Sequence, residues 1–522
     1  MVAVLLSTIA LFLLVVRATH AGALWRDECG TVQLATMPRI SDVIDYFDHQ
    51  TFPPLVPLIV RAYVQLCGSS DAALRALGLA AGAAFIGAVW WNTQMLGKGV
   101  PLLSVALFGL SPIFLTWGTT VGGYGFGAVL IILAFAATTK LLLARTPSVI
   151  LCTFIAAIGS EQFVISNLSL VLTITLSAFL VALIHRAFKT AGILASLTVC
   201  AALIGVIYLR IFSTGEWRIL FQQTSRVSDL WREFTRAYGE SWSLVWTGRA
   251  CFATIVSAAV WLLGRSLAVV GNSKAIVIHF ALLVAVLSPA TYFAALLAVG
   301  YRTHPWHYLL LLALLPAAMD MIVIALSRIY WLRVARLGFA MIAAIVVAGP
   351  AWITVHQRET NIDIVASKLT ELAKPHDLIV VAPWQLGISF HHYYHGTTQW
   401  ITLPNISDHR IHRYDLMLSK MISTRPVDDI LEIVSRTLGS GHRVWFVGEM
   451  RMPESGNLPL SLPPAPGDAF GWDDSAYSES WLEQFGAFVR EHSEQGQTVS
   501  QPSIGAVNQF EHVPLTVIDG WQ

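Results

Sequence analysis

The chain has 522 residues, of which 55% are hydrophobic and 12% are charged. A soluble globular protein carries about 25% charged residues, so this composition excludes a cytosolic enzyme, a secreted domain or a disordered tail for most of the chain. The net charge of +1 combines a basic part up to Val355, with 22 Lys and Arg against 12 Asp and Glu, and an acidic part from His356, with 11 against 20. The acidic part argues against nucleic acid as a partner, because phosphate binding needs basic side chains.

Long apolar segments dominate the first 355 residues. A helix that crosses the hydrocarbon core needs about 20 apolar residues, and this criterion predicts a polytopic α-helical membrane protein with about 11 crossings. The first segment lacks a basic start, so we interpret it as a retained helix instead of a cleaved signal peptide. The predicted crossings are 1–16, 74–96, 101–117, 122–144, 147–159, 163–185, 190–210, 246–264, 275–299, 307–327 and 335–355.

Four short basic loops predict the orientation, because Lys and Arg accumulate on the cytoplasmic side. They place the first loop 20–52, the long loop 211–245 and all residues from His356 outside the cytoplasm, in a multi-pass protein of the plasma or inner membrane. Pro53–Cys67 is short and carries Arg61, so it is interpreted as a re-entrant or surface-lying helix. The basic loops contain Lys140 and Arg145, Arg186 and Lys189, Arg265 and Lys274, and Arg328, Arg333 and Arg336.

Residues 356–522 alternate between helical and strand patterns, whereas residues 1–355 form the membrane domain. The alternation predicts an extracytoplasmic α/β domain with a largely parallel sheet. It has no glycine-rich phosphate loop and no nucleophile elbow. Helices are predicted at 361–373, 428–438 and 477–491, and strands at 377–382, 443–447 and 504–510.

The first external loop combines two adjacent acids with an amphipathic stretch. Asp27 and Glu28 follow the first helix, and apolar residues at helical spacing come after them. A helix of that kind lies in the membrane interface, which would hold both acids at the mouth of the first crossing. Acids at a bilayer edge are costly when desolvated and therefore indicate a function, with a solvated turn as the alternative. The apolar positions are Ile40, Val43, Ile44 and Phe47.

Several motifs, in their order along the chain, resemble those of the integral membrane glycosyltransferases of the GT-C fold. The pattern is similar to bacterial enzymes of the protein O-mannosyltransferase and aminoarabinose transferase type. Many crossings followed by an extracytoplasmic α/β tail also match that architecture. The motifs are Trp25-x-Asp27-Glu28, Pro53-Pro54-Leu55, Gly68 with Leu74-Arg75, Asp377–Ala382 and Phe390–Tyr394.

This resemblance implies a hexosyl or pentosyl transferase that inverts the anomeric carbon on the outer face of the membrane. The donor would be a polyprenyl-phosphate-linked sugar, and the acceptor a hydroxyl group of a glycan, a lipid or a protein, with membrane lipids around the enzyme. Asp27 would be the catalytic base that takes the proton of the acceptor. Glu28 would orient the acceptor or shape the electric field around Asp27.

The chain departs from the family pattern at three places that concern the donor. Phe52 stands where relatives often have His or Lys, which leaves His49 as the nearest titratable group. In the segment 118–124 only Tyr124 matches the relatives. His307-Tyr308 stands where relatives often have Arg-Tyr. We therefore expect other cations to bind the donor phosphate, and the candidates are Arg218, Arg226 and Arg302.

Two further groups of candidates lie on the predicted outer face. Glu161 separates two apolar segments and is interpreted as a substrate-facing acid. Arg302, His304, His307 and Tyr308 belong to one external loop that could clamp a lipid phosphate. Ordinary interfacial anchoring by aromatic and basic side chains is the equally weighted alternative for this loop.

A metal site is disfavoured, although a divalent metal cofactor stays open. The histidines of the tail lack a Cys or an acid at ligand spacing. If 390–394 is a strand, His391 and His392 point to opposite faces. The sequence therefore predicts no metal ligands; the histidines considered are His391, His392, His395, His409 and His412.

The alternative function is a transporter or flippase of a lipid-linked glycan, in which the acids would carry protons or bind substrate. Transporters typically show internal repeats and charges at the middle of the membrane. The sequence shows no repeat, and its candidate acids cluster near one membrane face. The enzyme is therefore the favoured interpretation.

Overall fold

A computed structural model describes the whole chain except residues 51, 96, 98, 215–225, 240–241, 267–272, 301, 327–328, 454–456, 466–473 and 502–504. Arg218 lies outside the described residues. The helices up to Val355 are α1 (Val2–His20), α2 (Arg26–Ala35), α3 (Ile40–Asp45), α4 (Leu55–Cys67), α5 (Asp71–Gln94), α6 (Pro112–Trp117), α7 (Gly123–Leu143), α8 (Pro147–Phe163), α9 (Asn167–Ile184), α10 (Phe188–Thr214), α11 (Val227–Ala237), α12 (Trp242–Ser266), α13 (Ser273–Val299), α14 (Leu309–Ala325) and α15 (Tyr330–Val355).

The predicted polytopic helical fold is confirmed. Within the described ranges, nine helical segments are long and apolar enough to cross a membrane. The predicted crossing 147–159 corresponds to the shorter apolar helix α8. The nine segments are α1, α5, α7, α9, α10, α12, α13, α14 with its preceding 3₁₀ turn Pro305–Tyr308, and α15.

The prediction of one continuous helix at 101–117 is wrong, because the segment is broken into the π-helix Ser104–Gly109 and the short helix α6. Ser111 is extended (φ −73°, ψ 144°), and its hydroxyl accepts the N–H of Phe114 to begin α6. Pro112 supplies no N–H, so the helical hydrogen bonding stops there. The physical cause is therefore a local proline–serine break.

A buried ion pair holds this broken segment inside the bundle. Asp320 on α14 accepts the backbone N–H groups of Leu103 and Ser104 at 3.1 and 2.9 Å. Arg336 on α15 lies 2.7 Å from the same carboxylate. Since helix starts leave N–H groups without intrahelical partners, Asp320 satisfies them and ties three segments together.

The short helix α4 packs on α2 through its arginine. The Arg61 guanidinium donates to the carbonyls of Ala35 and Met37 at 2.9 and 2.6 Å, just beyond the end of α2. These carbonyls lack helical partners, and a cation there is favourable. Arg61 therefore attaches α4 to the first loop, whereas the interpretation of 53–67 as a re-entrant or surface-lying helix stays a prediction.

The C-terminal region contains the helices α16 (Ile362–Leu372), α17 (Leu386–Tyr393), α18 (Tyr414–Ile422), α19 (Asp428–Gly439) and α20 (Asp474–His492), and the strands β1 (Leu378–Val381), β2 (Gln399–Thr402), β3 (Val444–Val447), β4 (Gln495–Thr498) and β5 (Leu515–Asp519). Within the described residues these strands form one sheet of order β2-β1-β3-β5-β4. The predicted small α/β domain is confirmed. The prediction of a largely parallel sheet is not, because β2, β1 and β3 pair in parallel whereas β5 pairs antiparallel with both β3 and β4.

The prediction of a final strand at 504–510 is wrong. The described part, residues 505–510, contains only an isolated bridge from Val507 to Arg358, and β4 and β5 lie before and after it. Strand formation needs a pairing partner, which a short apolar run does not by itself provide. His391 and His392, for which a strand was one possibility, lie in the helix α17, where Phe390 is buried against the sheet.

Candidate functional site

Asp27 lies in the first turn of α2, directly after the first membrane helix. The N–H of Trp25 donates to Glu28 at 3.1 Å, which caps the start of this helix. Carboxylates are favoured in a first helical turn by the unpaired N–H groups and the helix dipole. The local sequence therefore places Asp27 just beyond the C-terminal end of the first membrane helix.

The Asp27 carboxylate is held by a histidine of the C-terminal domain. Its Oδ1 lies 3.3 Å from Nε2 of His412 and 3.6 Å from Nε of Arg26. Burial acts to raise the pKa of Asp27, but the hydrogen bond and charge of His412 and the charge of Arg26 outweigh it and lower the pKa. Asp27 is therefore ionised at neutral pH, as a general base must be.

Glu28 has different surroundings although it is adjacent in sequence. It is 1% exposed, and it lies 2.8 Å from Arg75 of α5 and accepts the N–H of Val121 at 2.7 Å. Burial raises the pKa of the Glu28 carboxyl, and the guanidinium of Arg75 opposes that shift. Glu28 therefore joins α2 to the bundle, and its role toward the acceptor or toward Asp27 stays a prediction.

The loop before α14 brings His304 and His307 near enough to Asp27 for their charges to interact. His304 stacks on Trp306. Burial, with the charges of Arg26 and Arg302, lowers the pKa of His304 to about 4. His304 is therefore neutral at neutral pH, so it offers a hydrogen bond to a phosphate but no charge.

His307, Tyr308 and Arg302 of this loop form hydrogen bonds within it or with other parts of the protein. His307 accepts the N–H of His304 at 2.8 Å, and the Tyr308 hydroxyl donates to the carbonyl of Leu230 on α11 at 2.9 Å. Tyr308 is fully buried, whereas Arg302 is exposed and its guanidinium donates to Ser475 at 3.1 Å. Arg302 is therefore the cation of this loop that a phosphate can reach.

A buried acid of the C-terminal domain completes the surroundings of Asp27. Glu511 is 2% exposed and accepts the N–H of Arg26 and the hydroxyl of Ser389, both at 3.0 Å. Burial raises the pKa of Glu511 to about 7, and the charge of Asp27 adds to the shift. Sequence reasoning did not assign a role to Glu511 or His412; the one available signal was the concentration of histidines in the tail.

An aromatic cluster lies behind the site and encloses it. Trp25, Trp117 and Trp306 have ring centroids 4.5 to 5.5 Å apart, and Phe510 packs 5.1 Å from Trp306. The three tryptophans are each less than 5% exposed, which excludes them as an open platform for a sugar. They instead join the first loop, α6, the loop before α14 and the C-terminal domain around Asp27.

Four further predicted residues lie elsewhere on the described chain. His49 is buried, Tyr124 packs on Phe52 at 5.1 Å, and Arg226 is exposed at the start of α11. Glu161 is 1% exposed, and neither carboxylate oxygen has a hydrogen-bond partner within the described residues. In that same part, His49, Tyr124 and Glu161 make no hydrogen bond or ion pair with Asp27.

The surroundings do not form a recognisable metal centre. Across the residues that the structure describes, no group of three or more His, Cys, Asp or Glu side chains is arranged to hold an ion. Asp27 is instead flanked by a histidine and an arginine, and a guanidinium is not a metal ligand. This arrangement suits acid–base chemistry by the side chains themselves.

Two solved structures of ArnT from Cupriavidus metallidurans are similar to this chain. The apo structure has a TM-score of 0.51 at 12% identity, and the structure bound to undecaprenyl phosphate has 0.48 at 13%; both alignments cover 85% of this chain and 92% of that chain. No protein-family model and no curated protein matches the sequence. The similarity to the apo structure confirms the predicted GT-C-like fold.

Proposed function

We propose that this chain with the ArnT-like fold transfers a sugar from a polyprenyl-phosphate-linked donor to an acceptor hydroxyl, with inversion of the anomeric carbon. The observation that carries the proposal is Asp27. Its carboxylate is ionised, partly exposed and held from one side by His412 and Arg26 at the end of the first crossing. A bystander acid at a membrane surface would not need charged groups from α2, from the segment before α18 and from the loop before α14 around it.

The chemistry follows from these groups. The acceptor hydroxyl gives its proton to Asp27 while its oxygen bonds to the anomeric carbon, and the bond from that carbon to the phosphate oxygen breaks. The polyprenyl phosphate leaves with the electron pair. A positioned base contributes about 10²–10⁴-fold to such a step, and cations near the leaving phosphate stabilise the charge that develops on it.

The donor phosphate would lie toward the exposed cations beside this site. Arg302 is exposed on the loop that carries His304, and Arg226 is exposed at the start of α11, which Tyr308 ties to the same loop. Guanidinium groups match phosphate oxygens in a planar, two-point geometry. ArnT has been crystallised with undecaprenyl phosphate, which is a lipid phosphate of the proposed kind.

Glu161 is proposed as a second substrate-facing acid, and His49 and Tyr124 are proposed as further substrate-binding residues. A buried carboxylate without a partner is unfavourable in the unliganded chain, because desolvation is not offset by hydrogen bonds. Hydroxyl groups of a bound sugar would supply the missing donors. The C-terminal domain, and with it this chemistry, is proposed to lie on the extracytoplasmic side of the cell membrane.

The test is Asp27→Asn in purified protein that is supplied with polyprenyl-phosphate sugars and candidate glycan, lipid and protein acceptors. An amide cannot take the proton, so kcat should fall by about 10²–10⁴-fold while the donor KM is retained. The matched control is Asp45→Asn, which changes an exposed acid of the same external loop. Wild-type turnover by Asp27→Asn would refute the proposal and favour the transporter interpretation.

A further inference from the structure

The two carboxylate oxygens of Asp27 have different surroundings. Oδ1 contacts Nε2 of His412 and Nε of Arg26, at 3.3 and 3.6 Å. The closest contacts of the carboxylate are thus made through Oδ1, and the side chain is 21% exposed. One side of the carboxylate is therefore held by the protein, and the partly exposed side chain is open to a bound molecule.

His412 is buried in the C-terminal domain and packs against two aromatic rings. It lies in the segment between β2 and α18 and is 3% exposed. Its ring packs at 6.1 Å from Tyr414 and 6.4 Å from Trp384, and Trp384 follows β1 directly. Because β1 and β2 are parallel, their carboxyl ends meet at one sheet edge, where α/β proteins place their functional groups.

We propose that His412 is a positioning residue for the transfer reaction, and that the C-terminal domain is thereby part of the active centre. The inference rests on the proposed function, because it assumes that Asp27 is the base. The imidazole holds Oδ1, keeps the carboxylate charged and directs Oδ2 toward the acceptor. The proton of the acceptor then moves to Oδ2, its oxygen bonds to the anomeric carbon, and the phosphate leaves with the electrons of the broken bond.

The charged groups around Asp27 determine how the removal of His412 would change the pH profile of kcat/KM. Besides His412, they are Arg26 on the helix of Asp27, His304 and His307 on the loop before α14, and Glu511 of the C-terminal domain. Burial raises the pKa of Asp27 and His412 opposes it. Without His412 the pKa of Asp27 rises, so the acid limb of the kcat/KM profile moves to higher pH.

The experiment compares His412→Ala and His412→Gln in the full-length chain, with His409→Gln as the matched control. His409 lies in the same segment but packs on Trp400, 4.4 Å away. His412→Ala should lower kcat about 10–100-fold at unchanged donor KM, because the base is misplaced, and should move the acid limb upward. His412→Gln keeps a hydrogen-bond donor, so it should recover part of kcat while the acid limb stays displaced.

The outcomes separate the two proposals. Wild-type kcat and an unmoved acid limb in His412→Gln overturn the role of His412, whether or not the alanine variant folds. If Asp27→Asn is inactive in that case, the proposed function survives and only this inference fails. If Asp27→Asn retains full turnover, the proposed function itself fails. A displaced acid limb in His409→Gln of the same size would also overturn the assignment, since His409 makes no ion pair with Asp27 in the described chain.

Discussion

The ion pair between Glu28 and Arg75 should stabilise the fold, whereas the adjacent Asp27 should not. Arg75 is 5% exposed and also donates to the carbonyl of Ala23 at 2.7 Å. Glu28→Gln removes the nearest counter-charge of the buried guanidinium, and Arg75→Met leaves the carboxylate with backbone donors alone. Each single change should therefore lower the free energy of unfolding, whereas Asp27→Asn should leave it near the wild-type value.

The size of the loss follows from the burial of both partners. Removing one member of a buried ion pair typically costs about 3–5 kcal/mol, because the remaining charge cannot be solvated. Replacing both members together is often close to neutral. The double variant Glu28→Gln/Arg75→Met should therefore lose less stability than the sum of the two single variants, because the two side chains contact each other.

The assay is unfolding of the full-length protein in mixed detergent micelles, followed by tryptophan fluorescence. The matched control is Glu432→Gln, which breaks an ion pair of similar length, 2.7 Å, to Arg436, with side chains 73% and 70% exposed. Exposed pairs contribute about 0–1 kcal/mol, so the stability of this variant should barely change. Wild-type stability of Glu28→Gln, or a double variant whose loss equals the sum of the two single losses, would refute the stabilising role of the Glu28–Arg75 pair.

Three further predictions concern the donor, the domain contact and the topology. Arg302→Ala should raise the donor KM by roughly 10–150-fold, the value of one charged contact to a phosphate, and unchanged donor kinetics would place the phosphate elsewhere. The pKa of Glu511 is raised from 4.5 to about 7, so the folded chain binds this proton more tightly. The thermal unfolding midpoint should therefore fall as pH rises through that interval, and less so in Glu511→Gln. A reporter enzyme fused after Gln522 should be active only outside the cytoplasm, and cytoplasmic activity would reverse the predicted orientation.

The sequence was sufficient for the membrane architecture because that architecture has a local cause. Hydrophobic length alone predicts a spanning helix, and it identified every one of the nine long apolar helices. The break at Ser111 was missed, because the composition of 101–117 is apolar while one proline ends the hydrogen bonding. The strand at 504–510 was also wrong, since strand identity depends on a pairing partner that is distant in the chain.

The sequence by itself determined the membrane domain, the α/β tail and the candidate acid Asp27 at the end of the first helix. Only the tertiary structure decided that Asp27 and Glu28 have different surroundings, with one carboxylate partly open and the other buried on Arg75. It also decided that His412 and Glu511 reach the first loop from the far end of the chain. Such contacts join residues hundreds of positions apart. Packing of the whole domain, and not local hydrogen bonding, brings these groups together. The contacts therefore leave no periodicity or spacing in the sequence.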